Sequence, residues 1–510
     1  MHQGCRIGFA GTDARTLLSA LVVSTAKSEI HSDQYQGLVL RGTPAMPVFA
    51  GKAHMDWPVE FIPTQGNSAA DYAREATEAI QKGKLDYLFP LPEALLFQGL
   101  VDDMDKAGLG DRVAGLTQSG SFLEADKIAC KKFCRQAGVP VAPAWTEVDA
   151  KDYARICQIC LEYIHEYGGA VLKYPYSAGG KGARLIQSTW DIRQVYQELI
   201  QDYKPSYKKM FKNRKWPLLL EAKMSGVEIS FTILVDSQGH YQILPTALDY
   251  PERYAAPPGR ENPITGGMGS ISPHPLESEE LLQLVRTDLA EPLIQAMRKE
   301  NMLRPCVLYP GCFVSFGLDA QNRLQPNAIR VCEINIRPGE PEFQPVVRKL
   351  RNLGPMLQAM FTGQLHQVPP EVRQEQISLC LALVTGPGGP DNQKGYPWSV
   401  TKFEPMQIDF SYLVKKNIQL VPSAMGYDQE KGFYSDGTRV AYLNLSGSVQ
   451  KQGSKAQVAQ RLRQRALQAF DSQKIRVIPR EEPQGNRLDI RRDIGLHFTW
   501  AEELLSPLKE

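Results

Sequence analysis

The amino-acid sequence predicts a multidomain protein that combines α/β and α+β architecture. Its 510 residues are too many for one hydrophobic core and fit roughly three domains. Strand-like and helix-like segments alternate from Cys5 to Leu116, which is typical of a doubly wound α/β domain. Strand-rich sequence begins at Ile377 and indicates a separate C-terminal domain. The predicted parts are an N-terminal domain at 1–121, a central domain at 122–375 with a small lid subdomain at about 144–225, and a C-terminal domain at 376–510.

The N-terminal domain is predicted from two strand–helix pairs. Arg6–Ala10 is an apolar run typical of a strand, and Ala14–Ala26 follows it as a helix. Asp86–Pro90 is a later strand, followed by a helix over Glu93–Lys106 with apolar residues on one face. The loop between the second pair should lie at the carboxyl edge of the sheet, where open α/β sheets bind ligands.

The central domain begins with a polar helix over Phe122–Ala137, which should end before Gly138. Short strands and loops then alternate, which favours a lid on a larger body. The further predicted strands are Ala170–Lys173, Pro217–Glu221, Glu228–Val235, Cys312–Phe316, Val331–Asn335 and Ile377–Val384, and the further predicted helices are Glu279–Glu300 and Leu353–Thr362.

Composition and charge exclude several classes of protein. The net charge is only +2, from 58 basic and 56 acidic side chains, so we predict no nucleic-acid partner. No segment approaches the roughly 20 apolar residues of a membrane span, and the first residues lack the features of a secretory signal. We therefore expect a cytoplasmic protein whose nine cysteines are reduced. The basic run at 204–215 is interpreted as a solvated loop, and Cys157 and Cys160, without a second pair, as no metal site.

The first segment that could take part in catalysis or ligand binding is Lys173-Tyr-Pro-Tyr-Ser-Ala-Gly-Gly-Lys181-Gly182. Glycines let backbone N–H groups approach phosphate oxygens, and lysines supply positive charge during phosphoryl transfer. The segment therefore predicts a phosphate-binding loop, although a similar run also occurs in ordinary turns.

The second segment is Glu333-Ile-Asn335-Ile-Arg337 on a predicted strand. The alternation of a strand places Glu333, Asn335 and Arg337 on one face. Carboxylate and amide oxygens suit Mg²⁺, and a neighbouring arginine can hold a phosphoryl group. A solvent-facing polar edge would give the same alternation.

The third segment is Thr265-Gly-Gly-Met-Gly269. Glycine-rich turns can expose backbone N–H groups that bind a carboxylate or an acyl phosphate. A flexible turn is the simpler interpretation of this run.

Together, the three segments have the order and spacing of ATP-grasp enzymes, and the chain resembles the phosphoribosylamine–glycine ligase family. That family has a similar phosphate loop, a Thr-Gly-Gly-Met-Gly run, and a Glu-x-Asn-x-Arg strand that continues into Pro-Glu, as in Glu333 to Glu342. Pro92-Glu93-Ala94, the stretch from Lys127 to Gly138, and Arg491-Arg-Asp-Ile-Gly495 are also similar, so the resemblance covers nearly the whole chain.

The resemblance implies an ATP-grasp fold and an ATP-dependent ligase of purine biosynthesis. Such an enzyme joins glycine to phosphoribosylamine through a glycyl phosphate, with Mg²⁺ (Mn²⁺ as an alternative ion), and works as a monomer or homodimer. It also implies roles for individual residues. ATP would be bound through its phosphates by Lys127, Lys173 and Lys181, through its adenine by Glu221, Ala222 and Met224, and through its ribose by Glu228. Magnesium would be bound by Glu333 and Asn335, the reacting group by Arg337, and the acceptor and amino acid by Glu93, Thr265, Gly266 and Gly267.

The sequence departs from the family pattern in the first loop. The family's Gly-x-Gly-Gly-Arg-Glu-His is replaced by Gly8-Phe-Ala-Gly11-Thr-Asp-Ala-Arg15. The resemblance implies that this loop holds the phosphate of the acceptor, so we expect Gly8 and Gly11 to contribute and Arg15 to replace the lost residues from the helix N-terminus. Ile264 and Pro338-Gly339-Glu340 also differ from the family.

Three other functions stay open on sequence alone. The first is an ATP-grasp ligase with a different amine acceptor or amino acid, because the first loop has changed. The second is a nicotinamide-dependent oxidoreductase, although Gly8 and Gly11 do not form Gly-x-Gly-x-x-Gly. The third is a catalytically inactive ATP-binding protein, against which the retained Lys173, Glu333, Asn335 and Arg337 argue.

Overall fold

A computed structural model of the chain describes residues 4–31, 34–51, 57–64, 66–177, 182–212, 214–256, 262–386, 395–399 and 402–499. Among these residues, no helix is both long enough and apolar enough to cross a membrane. All nine cysteines are described, and none of them forms a disulfide bond with another described residue. Lys181 lies outside the described residues.

The N-terminal domain is a doubly wound sheet, as predicted. Its elements are β1 (Cys5–Gly11), α1 (Ala14–Thr25), β2 (Tyr35–Arg41), α2 (Ala45–Ala50), β3 (Glu60–Ile62), α3 (Ala69–Gln81), β4 (Tyr87–Pro90), α4 (Glu93–Phe97) and α5 (Leu100–Lys106). The strands are parallel in the order β3–β2–β1–β4. The ends of β1 and β4 therefore meet at one edge, which brings Gly11 against Pro92 and close to Glu93.

A small antiparallel domain follows two helices, α6 (Phe122–Ala125) and α7 (Lys127–Ala137). Its elements are β5 (Trp145–Asp149), α8 (Tyr153–Tyr167), β6 (Ala170–Lys173), β7 (Ala183–Ile186), α9 (Ile192–Phe211) and β8 (Pro217–Ala222). The strand order is β5–β8–β6–β7, and the domain has a hydrophobic core of its own. These elements lie inside the range predicted for the lid.

The basic run near residues 204–215 is mostly helical, so its interpretation as a loop was wrong. Tyr203, Tyr207 and Phe211 recur at every fourth position of α9 and pack on the lid core. This spacing puts them on one helical face, and their burial stabilises the helix while the lysines stay outside.

The central domain is built on two long paired strands. Its elements are β9 (Val227–Ser230), β10 (Ile233–Val235), β11 (Tyr241–Ile243), β12 (Leu248–Asp249), β13 (Gly269–Ser272), α10 (Glu279–Val285), a π-helical turn (Arg286–Ala290), α11 (Glu291–Lys299), β14 (Cys306–Leu318), β15 (Leu324–Asn335), α12 (Phe343–Arg348) and α13 (Leu353–Thr362). The sheet has the order β11–β10–β14–β15, and β9 also pairs with β14. The end of β15 carries Glu333 and Asn335 to the rim of this sheet.

The C-terminal part is rich in strands. Its elements are β16 (Gln376–Thr385), β17 (Lys402–Ile408), α14 (Phe410–Lys415), β18 (Gln419–Pro422), β19 (Met425–Asp428), β20 (Gly432–Asp436), β21 (Arg439–Ser448), α15 (Val449–Gln452), α16 (Lys455–Asp471), β22 (Ile475–Val477) and β23 (Leu488–Asp489). Short 3-10 turns lie at Gly110–Arg112, Thr189–Asp191 and Leu365–Gln367. The larger sheet, β12–β13–β16–β21–β18 with β23, takes two strands from before the predicted boundary at 375. The domain boundaries themselves stay predictions.

Three predicted elements are interrupted in the structure. The helix over Glu93–Lys106 breaks before Gly99. This residue has a φ of 86°, a left-handed conformation that glycine adopts without steric penalty. The helix over Phe122–Ala137 breaks at Asp126, which caps α7 by accepting from the N–H groups of Ile128 and Ala129 at 2.9 and 3.0 Å. The strand over Glu228–Val235 becomes β9 and β10, because Phe231 leaves the regular register along β14 and bonds to Pro310.

We predict that Tyr207→Ala lowers the stability of the lid by about 3–5 kcal/mol, the usual effect of deleting a buried aromatic ring. Tyr207 is fully buried, stacks on Trp216 at 4.9 Å between ring centroids, and donates to the carbonyl of Pro217 at 2.8 Å. Hydrogen exchange of the β6 and β8 amides measures the effect. The matched control is Trp190→Ala. The ring of Trp190 is 90% exposed, so its removal should change the stability of the lid by less than about 0.5 kcal/mol. Equal protection in the two variants would contradict the prediction.

Candidate active site

Glu221 holds two lysines at the inner end of the lid. It lies at the end of β8, 1% exposed, and pairs with Lys131 at 2.7 Å and with Lys173. Burial alone would raise the pKa of Glu221, but the two ammonium groups lower it. Lys131 also donates to the carbonyl of Val331 at 2.7 Å. One carboxylate therefore joins α7, β6 and β8, and Lys131 extends the connection to β15.

Lys127 and Lys173 point at the same rim of the central sheet. Lys127, the first residue of α7, pairs with Glu333 at 2.9 Å. Lys173 contacts the Sγ atom of Cys332 at 3.4 Å, and although burial opposes its charge, Cys332 and Glu221 raise its pKa. The ammonium of Lys127 lowers the pKa of Glu333 to about 2, so this carboxylate is ionised at neutral pH. Two cations and one carboxylate thus converge from three separate elements.

Glu333 and Asn335 form an oxygen donor set suited to magnesium. The Asn335 Nδ2 group donates to the Tyr309 carbonyl at 3.3 Å and to Glu333 at 3.5 Å, which leaves its Oδ1 atom without a donor among the described residues. Within the same residues, no cluster of three or more His, Cys, Asp or Glu side chains could hold a metal. One carboxylate and one amide oxygen fit Mg²⁺, which usually takes its other ligands from phosphates and water.

Arg337 connects this rim to the N-terminal domain. Its Nε atom lies 3.1 Å from Glu93 and 3.4 Å from Glu124. Glu124 also accepts from the Ile336 N–H at 2.9 Å, and burial raises its pKa to about 7 against the lowering effect of Arg337. The structure therefore brings the predicted residues Glu93 and Arg337 together across 244 positions of sequence.

The Thr-Gly-Gly turn lies near this rim, but its amides are engaged. The Gly266 N–H donates to the Tyr396 hydroxyl at 2.9 Å, and the Gly267 N–H to Thr265 Oγ1 at 3.1 Å. The expectation that these N–H groups are exposed was therefore wrong. The carbonyl side is also bound, because Arg439 donates to Gly266 and, at 3.4 Å, to Gly267. The turn is held rigidly from the C-terminal domain.

Arg15 lies in a buried ion-pair cluster. It is 4% exposed, pairs with Asp13 at 2.8 Å and Glu340 at 2.9 Å, and donates to the carbonyl of Pro338. Asp13 also accepts from the Thr16 N–H at 3.3 Å and caps α1. Arg15 and Glu340 are both positions where the sequence departs from the family pattern, and the structure pairs them. The role of Arg15 in acceptor binding stays a prediction.

The remaining predicted residues lie at different depths. Gly8 is inside β1, where an added Cβ would meet Leu85 at 2.6 Å, so it serves packing of the sheet. Ala222 and Met224 are buried beside Glu221 at the end of the lid sheet. Glu228 is exposed on β9. Desolvation by the surrounding protein, and then the negative charge of Glu333, nevertheless raise its pKa to about 7. Their assigned ligands stay predictions.

The lysines, Glu333, Asn335, Arg337 and the Thr-Gly-Gly turn together form the site that we call the cleft. Sequence reasoning missed several of its residues. Lys131 is four residues after Lys127, so helical spacing on the predicted helix could have placed both on one face. Glu124 lies on the same predicted helix, in the part that the structure has as α6, and offered a weaker signal. Arg439 is 173 positions from Gly266 and belongs to no motif, so only the folded chain connects them.

Known proteins are similar to this chain in sequence. Residues 125–343 match the family model described as phosphoribosylglycinamide synthetase, ATP-grasp (A) domain. A phosphoribosylamine–glycine ligase of Rhodopirellula baltica is 30% identical over 306 residues, which cover 60% of this chain and 65% of that protein, slightly less than two thirds. One of Archaeoglobus fulgidus is 25% identical over 75% of this chain and 82% of that protein.

Solved structures are similar in fold. The phosphoribosylamine–glycine ligase of Thermotoga maritima has a TM-score of 0.66 and 18% identity, and covers 96% of this chain and 100% of that chain. The biotin carboxylase domain of the Hydrogenobacter thermophilus 2-oxoglutarate carboxylase, solved with MgADP, ADP and bicarbonate, has a TM-score of 0.56 and 14% identity over 99% of each chain. The predicted ATP-grasp fold is confirmed.

We predict that Glu221→Gln lowers the free energy of unfolding by about 3–5 kcal/mol, because it leaves two buried ammonium groups without a counter-charge. Urea unfolding followed by circular dichroism measures the change. The matched control is Glu147→Gln, which breaks an exposed pair with Lys132 at 2.8 Å and should cost about 1 kcal/mol or less. A variant at Glu221 as stable as this control would contradict the role given to the buried pair.

Proposed function

We propose that this chain, which is similar to phosphoribosylamine–glycine ligases in sequence and in its ATP-grasp fold, joins glycine to 5-phosphoribosylamine at the expense of ATP. The products would be glycinamide ribonucleotide, ADP and phosphate, a step of purine biosynthesis. The observation that carries the proposal is the convergence of Lys127, Lys173 and the Glu333–Asn335 pair at one rim, facing Arg337.

The first step forms an acyl phosphate. A carboxylate oxygen of glycine attacks the γ-phosphorus of ATP, the bond to the β-phosphate oxygen breaks, and ADP leaves. Lys127 and Lys173 would hold phosphate oxygens and stabilise the charge that develops on the transferred group. The adenine would lie against Glu221, Ala222 and Met224, and the ribose near Glu228.

Magnesium would be held by Glu333 and Asn335 and would offset phosphate charge. Lys127 pairs with Glu333 at 2.9 Å and is placed to turn to a phosphate oxygen instead. Arg337, anchored by Glu93 and Glu124, would hold the reacting carboxylate.

In the second step the amine of the acceptor attacks the acyl carbon. The new C–N bond forms, the C–O bond to phosphate breaks, and the amine nitrogen loses a proton. The first loop, with Gly11 and Arg15, would face the acceptor beside Glu93. This arrangement needs no protein nucleophile.

A second candidate function is an ATP-grasp ligase with a different amine acceptor. It is favoured by the pairing of Arg15 with Glu340, because both residues replace family residues where the acceptor is expected. A guanidinium already paired with two carboxylates is less available to an acceptor phosphate than a free one.

The direct test measures Mg²⁺-dependent ADP formation with glycine, with and without phosphoribosylamine generated from ribose 5-phosphate and ammonia. We expect acceptor-dependent ADP and a product with the mass of glycinamide ribonucleotide. ADP formed only with another amine would support the second candidate. No ADP with any amine or amino acid would support a catalytically inactive protein.

We predict that Glu333→Gln lowers kcat/KM by about a hundredfold or more, because the variant loses a charge that supports the metal and the transition state. Circular dichroism should show an unchanged fold, and raising the Mg²⁺ concentration should restore part of the activity. Glu147→Gln on the outer surface of the lid serves as the control. Normal turnover of Glu333→Gln at limiting Mg²⁺ would remove Glu333 from the metal site.

A further inference from the structure

The stem of the predicted phosphate-binding loop packs against the lid helix α9. We call residues 174–177 and 182 the stem, because they are the described part of the loop. The Tyr174 ring is 3% exposed and stacks on Tyr203 at 4.2 Å between ring centroids, with 14° between the ring planes. The same ring meets Tyr207 edge-on at 5.0 Å, and its hydroxyl donates to the Met210 sulfur at 3.5 Å. Three residues of one helix therefore hold one ring of the stem.

A second aromatic residue of the stem also contacts α9. The Tyr176 ring lies 5.5 Å from the ring of Phe211, the last residue of the helix. Positions 203, 207, 210 and 211 follow the spacing of one helical face, so a single face of α9 meets both rings of the stem. We call these four residues the clamp.

The stem is joined to both lysines that we propose to bind phosphates. Lys173 reaches Cys332 at 3.4 Å in the cleft, whereas the next residue, Tyr174, packs in the core of the lid. This is the alternation of an extended chain, in which successive side chains lie on opposite sides. The N–H group of Lys127 donates to the carbonyl of Pro175 at 3.0 Å. A shift of the stem would therefore move it relative to both lysines.

The backbone of Tyr174 also holds the two arms of the stem together. Its N–H group donates to the carbonyl of Gly182 at 2.9 Å, and its carbonyl accepts from the Ser177 hydroxyl at 3.1 Å. A Cβ atom added to Gly182 would lie 1.9 Å from Ser177 Oγ, so only glycine fits there. The position that the clamp gives to the Tyr174 ring is thus passed to both arms.

We propose that the clamp positions the phosphate-binding loop through Tyr174, so that Lys173 and the loop meet the β- and γ-phosphates of ATP in a fixed geometry. The inference rests on the proposed function and makes Tyr174 a positioning residue. Groups that are already in place need no rearrangement when charge develops on the transferred phosphoryl group. The clamp should therefore favour nucleotides that carry these two phosphates over AMP, which lacks them.

The test measures the Kd of AMP-PNP, a non-hydrolysable ATP analogue, with Mg²⁺, and the Kd of AMP. We expect Tyr174→Leu to raise the Kd of AMP-PNP about tenfold, the loss expected for two aromatic pairs, and the Kd of AMP less than about twofold. Tyr174→Phe keeps the ring and should stay within about threefold of wild type for both ligands. Tyr203→Leu should act in the same direction as Tyr174→Leu, and because its ring is only partly buried, it keeps the test decisive if Tyr174→Leu does not fold.

The matched control is Tyr163→Leu on α8. Tyr163 is also a buried tyrosine of the lid core, at 7% exposure, but its hydroxyl bonds to Thr146 at 2.9 Å and its ring meets Tyr167 at 6.0 Å. This control loses the same ring from the same core without touching the stem. It should leave the ratio of the two Kd values unchanged.

The double variant Tyr174→Leu/Tyr203→Leu tests whether the two rings act as a unit. Its Kd for AMP-PNP should rise little beyond that of Tyr174→Leu alone, because either substitution removes the same contact. Fully additive effects, equal losses for AMP and AMP-PNP, or an equal change in Tyr163→Leu would each overturn the proposal. A wild-type chain that does not bind AMP-PNP would reject the clamp and the proposed function together. Nucleotide binding needs neither glycine nor acceptor, so binding of AMP-PNP without ligase turnover would reject the proposed function alone.

Discussion

Compensation of buried charge is the constraint on which the cleft depends. Glu221 neutralises Lys131 and Lys173, and Glu333 neutralises Lys127. Isolated ammonium groups at these depths would be unstable, yet a site for phosphates needs them there. The carboxylates thus let the chain fold with the lysines that we propose to bind phosphates already in position. In our account substrates exchange partners with this network, since Glu333 can turn to a metal while Lys127 turns to a phosphate.

The same principle connects the domains. Arg337 reaches Glu93 in the N-terminal domain, Arg15 reaches Glu340 in the central domain, and Arg439 crosses from the C-terminal domain to the Thr-Gly-Gly turn. Each contact is between residues far apart in sequence and lies at the cleft. The positions of the groups that would handle the amino acid and the acceptor therefore depend on three domains packing together. A substitution at any of these arginines would therefore change the packing of the domains around the cleft as well as its charge.

Local sequence predicted the elements whose pattern is self-contained. The apolar strand and helix at the N-terminus and the apolar β16 follow from side-chain periodicity, and the structure has them nearly at the predicted bounds. The alternating strand at Glu333 is also present, but β15 begins earlier, at Leu324, and ends at Asn335, so the prediction that Arg337 lies on this strand was wrong. Short interruptions were missed, because Gly99 and Asp126 alter single residues within otherwise helical patterns. The engaged amides of the Thr-Gly-Gly turn could not be predicted, since Tyr396 comes from 130 positions away.

The central claim is that the cleft activates a carboxylate by phosphorylating it, with the amino acid held for that step. The most direct measurement supplies glycine labelled with ¹⁸O in its carboxylate and follows the label by mass spectrometry during turnover. Our account predicts that one labelled oxygen appears in the released phosphate for each product formed, because the C–O bond of the acyl phosphate breaks in the second step. Phosphate that carries no label while product accumulates would contradict the acyl phosphate and the role that we give to the cleft.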